Sequence, residues 1–129
     1  MRTPSRMMIL GLLAAALAGC ATYSKEVSYL YGDRYNRTDI HTSATVITAI
    51  DGQATMLRSV PVPVEPGQHV IRLVAAPVAG FRIPEERELN LNVEPCKRYF
   101  IVAARDNRLQ QDWRPLVDYV DDAGGNYCR

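Results

Sequence analysis

The three cysteines are the residues of this 129-residue chain whose chemistry is easiest to place. Cys20 follows an N-terminal stretch in which Arg2 and Arg6 precede an uncharged, mostly aliphatic run of 12 residues, 7–18. This layout is typical of a secretory signal. A helix needs roughly 20 apolar residues to span a bilayer, so the run is too short to remain in the membrane. We therefore expect residues 1–19 to be a signal peptide that is removed on export.

The four residues Leu17-Ala18-Gly19-Cys20 resemble the bacterial lipobox, in which an apolar residue and two small residues precede an obligatory cysteine. The resemblance implies a lipoprotein, with a diacylglycerol thioether on Cys20, cleavage after Gly19 and an acyl chain on the new amino group. Two or more chains anchor a protein stably to a membrane. Ala21 stands where an aspartate marks retention in the inner membrane, which implies the outer membrane, facing the periplasm. The alternative is an ordinary signal peptide and an unmodified Cys20.

Cys96 and Cys128 remain as an even pair in a chain expected to reach an oxidising compartment. A disulfide between them would stabilise the fold by roughly 3–4 kcal/mol in the chain-entropy description. The other interpretations are a two-ligand metal site and two free thiols. Zinc sites usually take four ligands at close spacing, and the chain has no C-x-x-C motif, so the spacing favours the disulfide.

The remaining 110 residues, 20–129, suffice for one domain. They carry 13 basic and 14 acidic residues, because Arg2 and Arg6 belong to the signal. This balance favours neither nucleic acid nor an anionic surface as a partner.

The pattern of the domain is that of an all-β protein. We expect residues 20–43 to be the lipidated cysteine and a tether, whose tyrosines, including Tyr29 and Tyr31, either stack on a partner or form an ordinary amphipathic linker. Residues 44–129 alternate between β-rich runs and turn signals such as Asp51-Gly52, which predicts a small antiparallel sandwich of about six strands. The predicted strands are 44–50, 56–64, 69–75, 88–93, 99–104 and 113–120.

Pro61 and Pro63 alternate with Val60, Val62 and Val64. Successive amides of a strand point to opposite sides, so the two prolines remove donors from one side only. A strand with one side unable to donate belongs at the edge of a sheet.

Two segments, Ile50-Asp51-Gly52 and 64–71 (VEPGQHVI), resemble the core of PEGA-type and related transthyretin-like envelope sandwiches. In those proteins a strand ends at an Asp-Gly turn, and a later Pro-Gly-x-His turn begins the next strand. The resemblance implies a β-sandwich, but this chain lacks the repeats of the PEGA family. The second half, with 95–103 (PCKRYFIVA) and 112–115 (DWRP), is similar to small uncharacterised proteobacterial envelope lipoproteins.

Residues for catalysis or metal binding are sparse. His41 and His69 are the only histidines, they lack the spacing of a helical metal motif, and no serine lies in a nucleophile-elbow sequence. We interpret His69 as a turn residue with local hydrogen bonds. The acidic cluster at 118–122 could hold calcium weakly, but a solvated turn is the simpler interpretation. We expect no enzyme activity, no cofactor and no bound metal.

The segment 105–114, RDNRLQQDWR, is the candidate partner-binding loop. Arginine and tryptophan are enriched at interface hot spots, and tryptophan also suits stacking on a glycan. The alternative is a hairpin loop with internal Arg–Asp pairs and a tryptophan in the core. The candidate residues are Arg105, Asn107, Arg108, Gln111, Trp113 and Arg114.

Two functions are consistent with this sequence. The first is a non-enzymatic envelope lipoprotein, an accessory or interaction module bound to the membrane through its lipid anchor. The second is a module that binds peptidoglycan, another glycan or a metal through the 105–114 loop.

Overall fold

The computed structural model describes residues 26–33, 38–55, 61–78, 83–124 and 128. The predicted signal peptide, Cys20 and residues 56–60 of the predicted second strand lie outside this part of the chain. In the described part no helix is long and apolar enough to cross a membrane. The fold is all-β, as the sequence predicts, and its strands form two sheets.

Nine strands are present among the described residues. In chain order they are β1 Ser28–Tyr31, β2 Thr42–Ser43, β3 Thr45–Ile50, β4 Gln53–Ala54, β5 Val62–Val64, β6 Gly67–Ala75, β7 Glu86–Val93, β8 Lys97–Ala104 and β9 Arg114–Asp122. Sheet A contains β1, β2, β5, β8 and β9, and sheet B has the order β4-β3-β6-β7.

Strand β8 is the centre of sheet A. Its whole length pairs antiparallel with β9 on one side. On its other side, β1 pairs with residues 98–100 in parallel, and β2 pairs with residues 103–104 antiparallel. Strand β1 in turn pairs antiparallel with β5. The sheet is therefore mixed, and the wholly antiparallel arrangement predicted from the sequence is wrong for the β1–β8 pair.

Turn chemistry accounts for the hairpin in sheet B. Asp51 and Gly52 both have positive φ, 51° and 79°, which is the backbone of a tight two-residue hairpin turn. They join β3 to β4, as predicted from the Asp-Gly pair. The turn at Pro66 instead passes the chain from sheet A to sheet B, since β5 and β6 belong to different sheets.

The core lies between the two sheets. Alternate residues of a strand share a face, and the buried positions follow that period in β1, β3, β5 and β6. The buried core residues are Leu30, Ile47, Val62, Val64, Ile71, Leu73, Ala75, Val93, Tyr99, Ile101, Ala103 and Trp113.

The proline prediction is confirmed. Strand β5, which contains Pro63, pairs only with β1 among the described strands and so lies at an edge of sheet A. Val62 and Val64 are buried while Pro63 is exposed.

The domain begins earlier than predicted. Residues 20–43 were expected to be a tether, yet β1 and β2 fall within them and belong to sheet A. Strand β1 has one large aliphatic residue, Leu30, whose side chain is completely buried in the core. Four residues are too few to establish the two-residue period of a strand, so the alternation of Ser28, Tyr29, Leu30 and Tyr31 does not predict one.

Candidate functional site

Within the described ranges, the aromatic side chains that are not part of the core lie on the outer face of sheet A. Ser28 and Leu30 point into the core, so Tyr29 and Tyr31 lie on the outer face. The register of β1 with β8 places Tyr29 beside Arg98 and Tyr31 beside Phe100. These two tyrosines, which the sequence predicts to lie in a tether, belong to a sheet.

A cleft of about 270 Å³ opens on this face. Its lining residues come from strands β1 and β8, from the residue before β5 and from the residues after β9: Tyr29, Tyr31, Arg98, Pro61, Ala123 and Gly124. Ligand sites typically measure ~300–1,000 Å³, so the cleft has the size of a site for one small ring.

Arg98 provides the charged group of the cleft. Its Nε donates to Oδ1 of Asp121 at 2.7 Å, and a second nitrogen, Nη2, donates to Oδ2 of the same carboxylate. Asp121 raises the pKa of Arg98 through this bidentate pair. The guanidinium carbon also lies 5.9 Å from the centre of the Phe100 ring, within the range of a cation–π contact. The charged residue that lines the cleft is thus held in an ion pair that has no net charge.

The aromatic wall is held by stacking. The rings of Tyr31 and Phe100 are 4.7 Å apart and 19° from parallel. Tyr119 of β9 lies on the other side of Phe100, at 5.9 Å and 46°. Aromatic pairs of this kind each stabilise their arrangement by ~0.5–1.5 kcal/mol beyond the burial of their area. Tyr31 and Tyr119 therefore flank the same ring, but only Tyr31 lines the cleft.

One end of the cleft is fixed by the disulfide. Cys96 and Cys128 are bonded, as predicted, with 5.7 Å between their Cα atoms. The carbonyl of Cys96 accepts a hydrogen bond from the amide of Ala123 at 2.8 Å, which holds the chain after β9 beside the start of β8. Cys96 itself has a φ of 58°, which lies in the left-handed region that residues other than glycine rarely adopt.

Ser28 joins the beginning of β1 to the turn between β7 and β8. Its side chain is completely buried. The hydroxyl donates to the carbonyl of Glu94 at 2.5 Å and accepts from the amide of Lys97 at 2.9 Å. The amide of Cys96 also donates to the carbonyl of Glu26 at 3.3 Å. The first described residues of the chain are thereby attached to the disulfide-bearing turn.

Two of the candidate partner-binding residues of the 105–114 loop are buried. Trp113 is only 4% exposed and belongs to the core, and its indole donates to the carbonyl of Glu85 at 3.2 Å. The alternative interpretation of this tryptophan as a core residue is the one that the structure bears out. Arg105 is equally inaccessible, with 5% of its surface exposed.

Arg105 is a buried cation that makes hydrogen bonds to neutral groups. Its guanidinium donates to the hydroxyl of Ser43 at 2.7 Å and to the carbonyl of Ala76 at 3.1 Å. Within the described part of the chain, its Nε has no acceptor. Burial lowers the pKa of Arg105. The side chain connects the ends of β2, β6 and β8, which is a structural role.

The other candidate residues of the loop either form hydrogen bonds that hold the loop in place or are exposed to solvent. Gln111 accepts from the amide of Val78 and donates to the carbonyl of Ile83, which ties the loop to the chain after β6. Asn107 accepts from the amide of Leu109, and Arg114 pairs with Asp106 in an exposed ion pair. Arg108 is exposed. Asn107, Arg108 and Arg114 thus remain accessible, whereas Trp113 is buried.

The histidines have the roles of surface residues. Nδ1 of His69 is 2.6 Å from a carboxylate oxygen of Asp51, and its Nε2 is 2.8 Å from the carbonyl of Glu65. This joins the two turns, in agreement with the predicted local bonding. The carboxylate of Asp51 also accepts from the amide of Val70, and this bond, followed by the one from His69, lowers the pKa of Asp51. His41 is exposed.

The acidic cluster at 118–122 is largely engaged in ion pairs. Asp121 binds Arg98, and Asp122 accepts from the ammonium of Lys97 at 2.5 Å. That pair lowers the pKa of Asp122 and raises the pKa of Lys97. Across the described ranges, no group of three or more His, Cys, Asp or Glu side chains is arranged to hold a metal ion.

The fold and the cleft define a small disulfide-bonded β-sandwich with an aromatic site on the outer face of one sheet. Comparison of the chain with models of protein families, with curated proteins and with solved structures finds no match.

Proposed function

We propose that this protein is a non-enzymatic envelope lipoprotein, anchored through lipid on Cys20 and acting as an interaction module at the membrane. The observation that carries the proposal is the Leu-Ala-Gly-Cys sequence directly after a short apolar run. The outer membrane, facing the periplasm, is the proposed location, because Ala21 replaces the aspartate associated with inner-membrane retention.

The distance from the anchor to the fold supports a module held close to the lipid. Strand β1 begins at Ser28, eight residues after Cys20. An extended chain of that length spans at most ~26–29 Å. The beginning of β1, with the beginning of β8 and the end of β9 beside it, would then stay within that distance of the bilayer surface.

Mass spectrometry of the N-terminal peptide tests the anchor. We expect a diacylated or triacylated Cys20 at the new N-terminus and recovery of the protein in the outer-membrane fraction. A Cys20→Ser variant should appear in the soluble periplasmic fraction. Recovery of an unmodified Cys20, or a mature terminus elsewhere, would refute the anchor.

Binding of a ligand is the second candidate function, and the cleft on sheet A is the observation that favours it. Its lining combines tyrosine rings with Arg98, which provides both apolar contact and hydrogen-bond donors. We therefore propose sheet A as the ligand site in preference to the 105–114 loop, because Trp113 and Arg105 of that loop are buried. The lining residues that the structure describes include no nucleophile with an adjacent base, which supports binding without turnover.

A further inference from the structure

We propose that the cleft on sheet A binds one pyranose ring of a neutral glycan. This inference depends on the ligand-binding role proposed above, and it is independent of the lipid anchor. It follows from four properties of the cleft: its size, its walls, the charge of its polar group and its rigidity.

The size and the walls match a sugar ring. A volume of about 270 Å³ is enough for one ring and its substituents. Tyr29 and Tyr31 provide aromatic carbon for the apolar C–H face of a pyranose. Pro61 and Ala123 add apolar surface, which suits an aliphatic substituent such as the methyl group of an acetamide.

The charge of the cleft favours a neutral polyol over an anion. Asp121 already occupies Nε and Nη2 of Arg98, so an incoming phosphate or carboxylate would have to displace it or approach it against repulsion. Sugar hydroxyls both donate and accept. They can therefore donate to the carboxylate and accept from guanidinium N–H groups that Asp121 does not engage, without breaking the pair.

The cleft is assembled before any ligand arrives. Tyr31 is stacked on Phe100, Arg98 is fixed by a bidentate pair, and Ala123 is bonded to the disulfide-bearing turn. Side chains that are already ordered lose little entropy on binding, which preserves affinity in a small site. A single ring in such a site is expected to bind with a Kd on the order of 1 mM.

Titration of the purified full-length protein in detergent, followed by NMR or calorimetry, tests the proposal. The probes are tetramers of β-1,4-linked N-acetylglucosamine and of β-1,4-linked glucose, with inorganic phosphate as the anionic comparison. We expect saturable binding of at least one tetramer, with shifts confined to sheet A, and no competition by phosphate. Absence of binding of both tetramers, or binding of phosphate that requires Arg98, would overturn the proposal.

The structure offers a matched control for each half of the site. Tyr31→Ala should weaken binding of the tetramer about tenfold, whereas Tyr119→Ala, which removes the ring on the other side of Phe100, should change it less than about twofold. Arg98→Ala should likewise weaken binding. Arg72→Ala is its control, since Arg72 forms exposed ion pairs with Glu86 and Glu88 on sheet B.

Equal losses in the cleft variants and in their controls would also contradict the proposal. Tyr31→Phe keeps the stacked ring and removes only the hydroxyl, so it serves as a control for misfolding of Tyr31→Ala. It should lose less affinity for the tetramer than Tyr31→Ala. The Cys20→Ser variant separates the proposed lipid anchor from the proposed glycan site, because it should bind the tetramer normally but should no longer be anchored to the membrane.

Discussion

Replacing Ser28 with alanine tests whether one buried hydroxyl holds the beginning of β1 in the sandwich. The hydroxyl bonds to two backbone groups of the β7–β8 turn, the carbonyl of Glu94 and the amide of Lys97. Alanine fits the same space without introducing a clash, so the substitution removes the two bonds and little else. The two backbone groups would then be left without their partner.

The size of the effect follows from the burial of these groups. A buried donor or acceptor that loses its partner costs about 1–3 kcal/mol. Ser28 is completely buried, but Glu94 is exposed and Lys97 is half-buried, so water can partly replace the lost bonds. We therefore take the lower part of the range for each group and expect Ser28→Ala to lower the free energy of unfolding by about 2–4 kcal/mol.

Equilibrium urea unfolding of the oxidised protein measures this difference. Thr48→Val is the control, because the Thr48 hydroxyl donates to the carbonyl of Arg72 at 3.2 Å on the half-exposed side of β3. It should cost less than about 1 kcal/mol. A loss below ~1 kcal/mol for Ser28→Ala, or one no larger than that of Thr48→Val, would show that the hydroxyl does not hold β1.

Three further predictions concern other parts of the fold. Arg105→Met should leave the free energy of unfolding within about 1 kcal/mol of the wild type, because an apolar side chain of similar length avoids burying a charge. Arg105→Ala should lower it by ~2–3 kcal/mol through lost packing, and urea unfolding of both variants distinguishes packing from charge. Cys128→Ser should lower the stability by ~3–4 kcal/mol in thermal or urea unfolding, from a closed loop with a sequence separation of 32. For Asp51, an NMR titration of the carboxyl carbon should give a midpoint below the usual value of 3.8. A lowered pKa in the folded state stabilises the protein above the unfolded-state value, and the stabilisation is lost as the pH falls through the lowered pKa. Asp51→Asn should therefore weaken the loss of stability on acidification.

The strands with a clear period were predictable from the sequence. Strand β7 alternates Leu89, Leu91 and Val93 with polar residues. The next strand along the chain, β8, is apolar on both faces at residues 101–104. Turn residues with special backbone angles marked the hairpin at Asp51-Gly52. The disulfide was predictable because Cys96 and Cys128 are the two cysteines that remain once Cys20 is assigned to the lipobox.

The cleft was not predictable, because its residues are distant in sequence. Tyr31, Arg98 and Ala123 come together only through the pairing of β1 with β8 and of β8 with β9. No local pattern encodes the parallel β1–β8 register. The composition of the 105–114 loop is compatible both with an interface and with a hairpin loop whose tryptophan lies in the core, because the burial of Trp113 and Arg105 depends on contacts with Glu85, Ser43 and Ala76.

The position of β1 within sheet A also bears on the order of folding. It is the first described strand of the chain, yet its partners are late: Leu30 aligns with Val62 and with Tyr99. Pairings between residues so far apart in sequence form slowly, because a long loop must close before any contact is gained. We expect sheet A to stay open during synthesis until β8 has been made. The cleft would therefore exist only once the full sheet has formed.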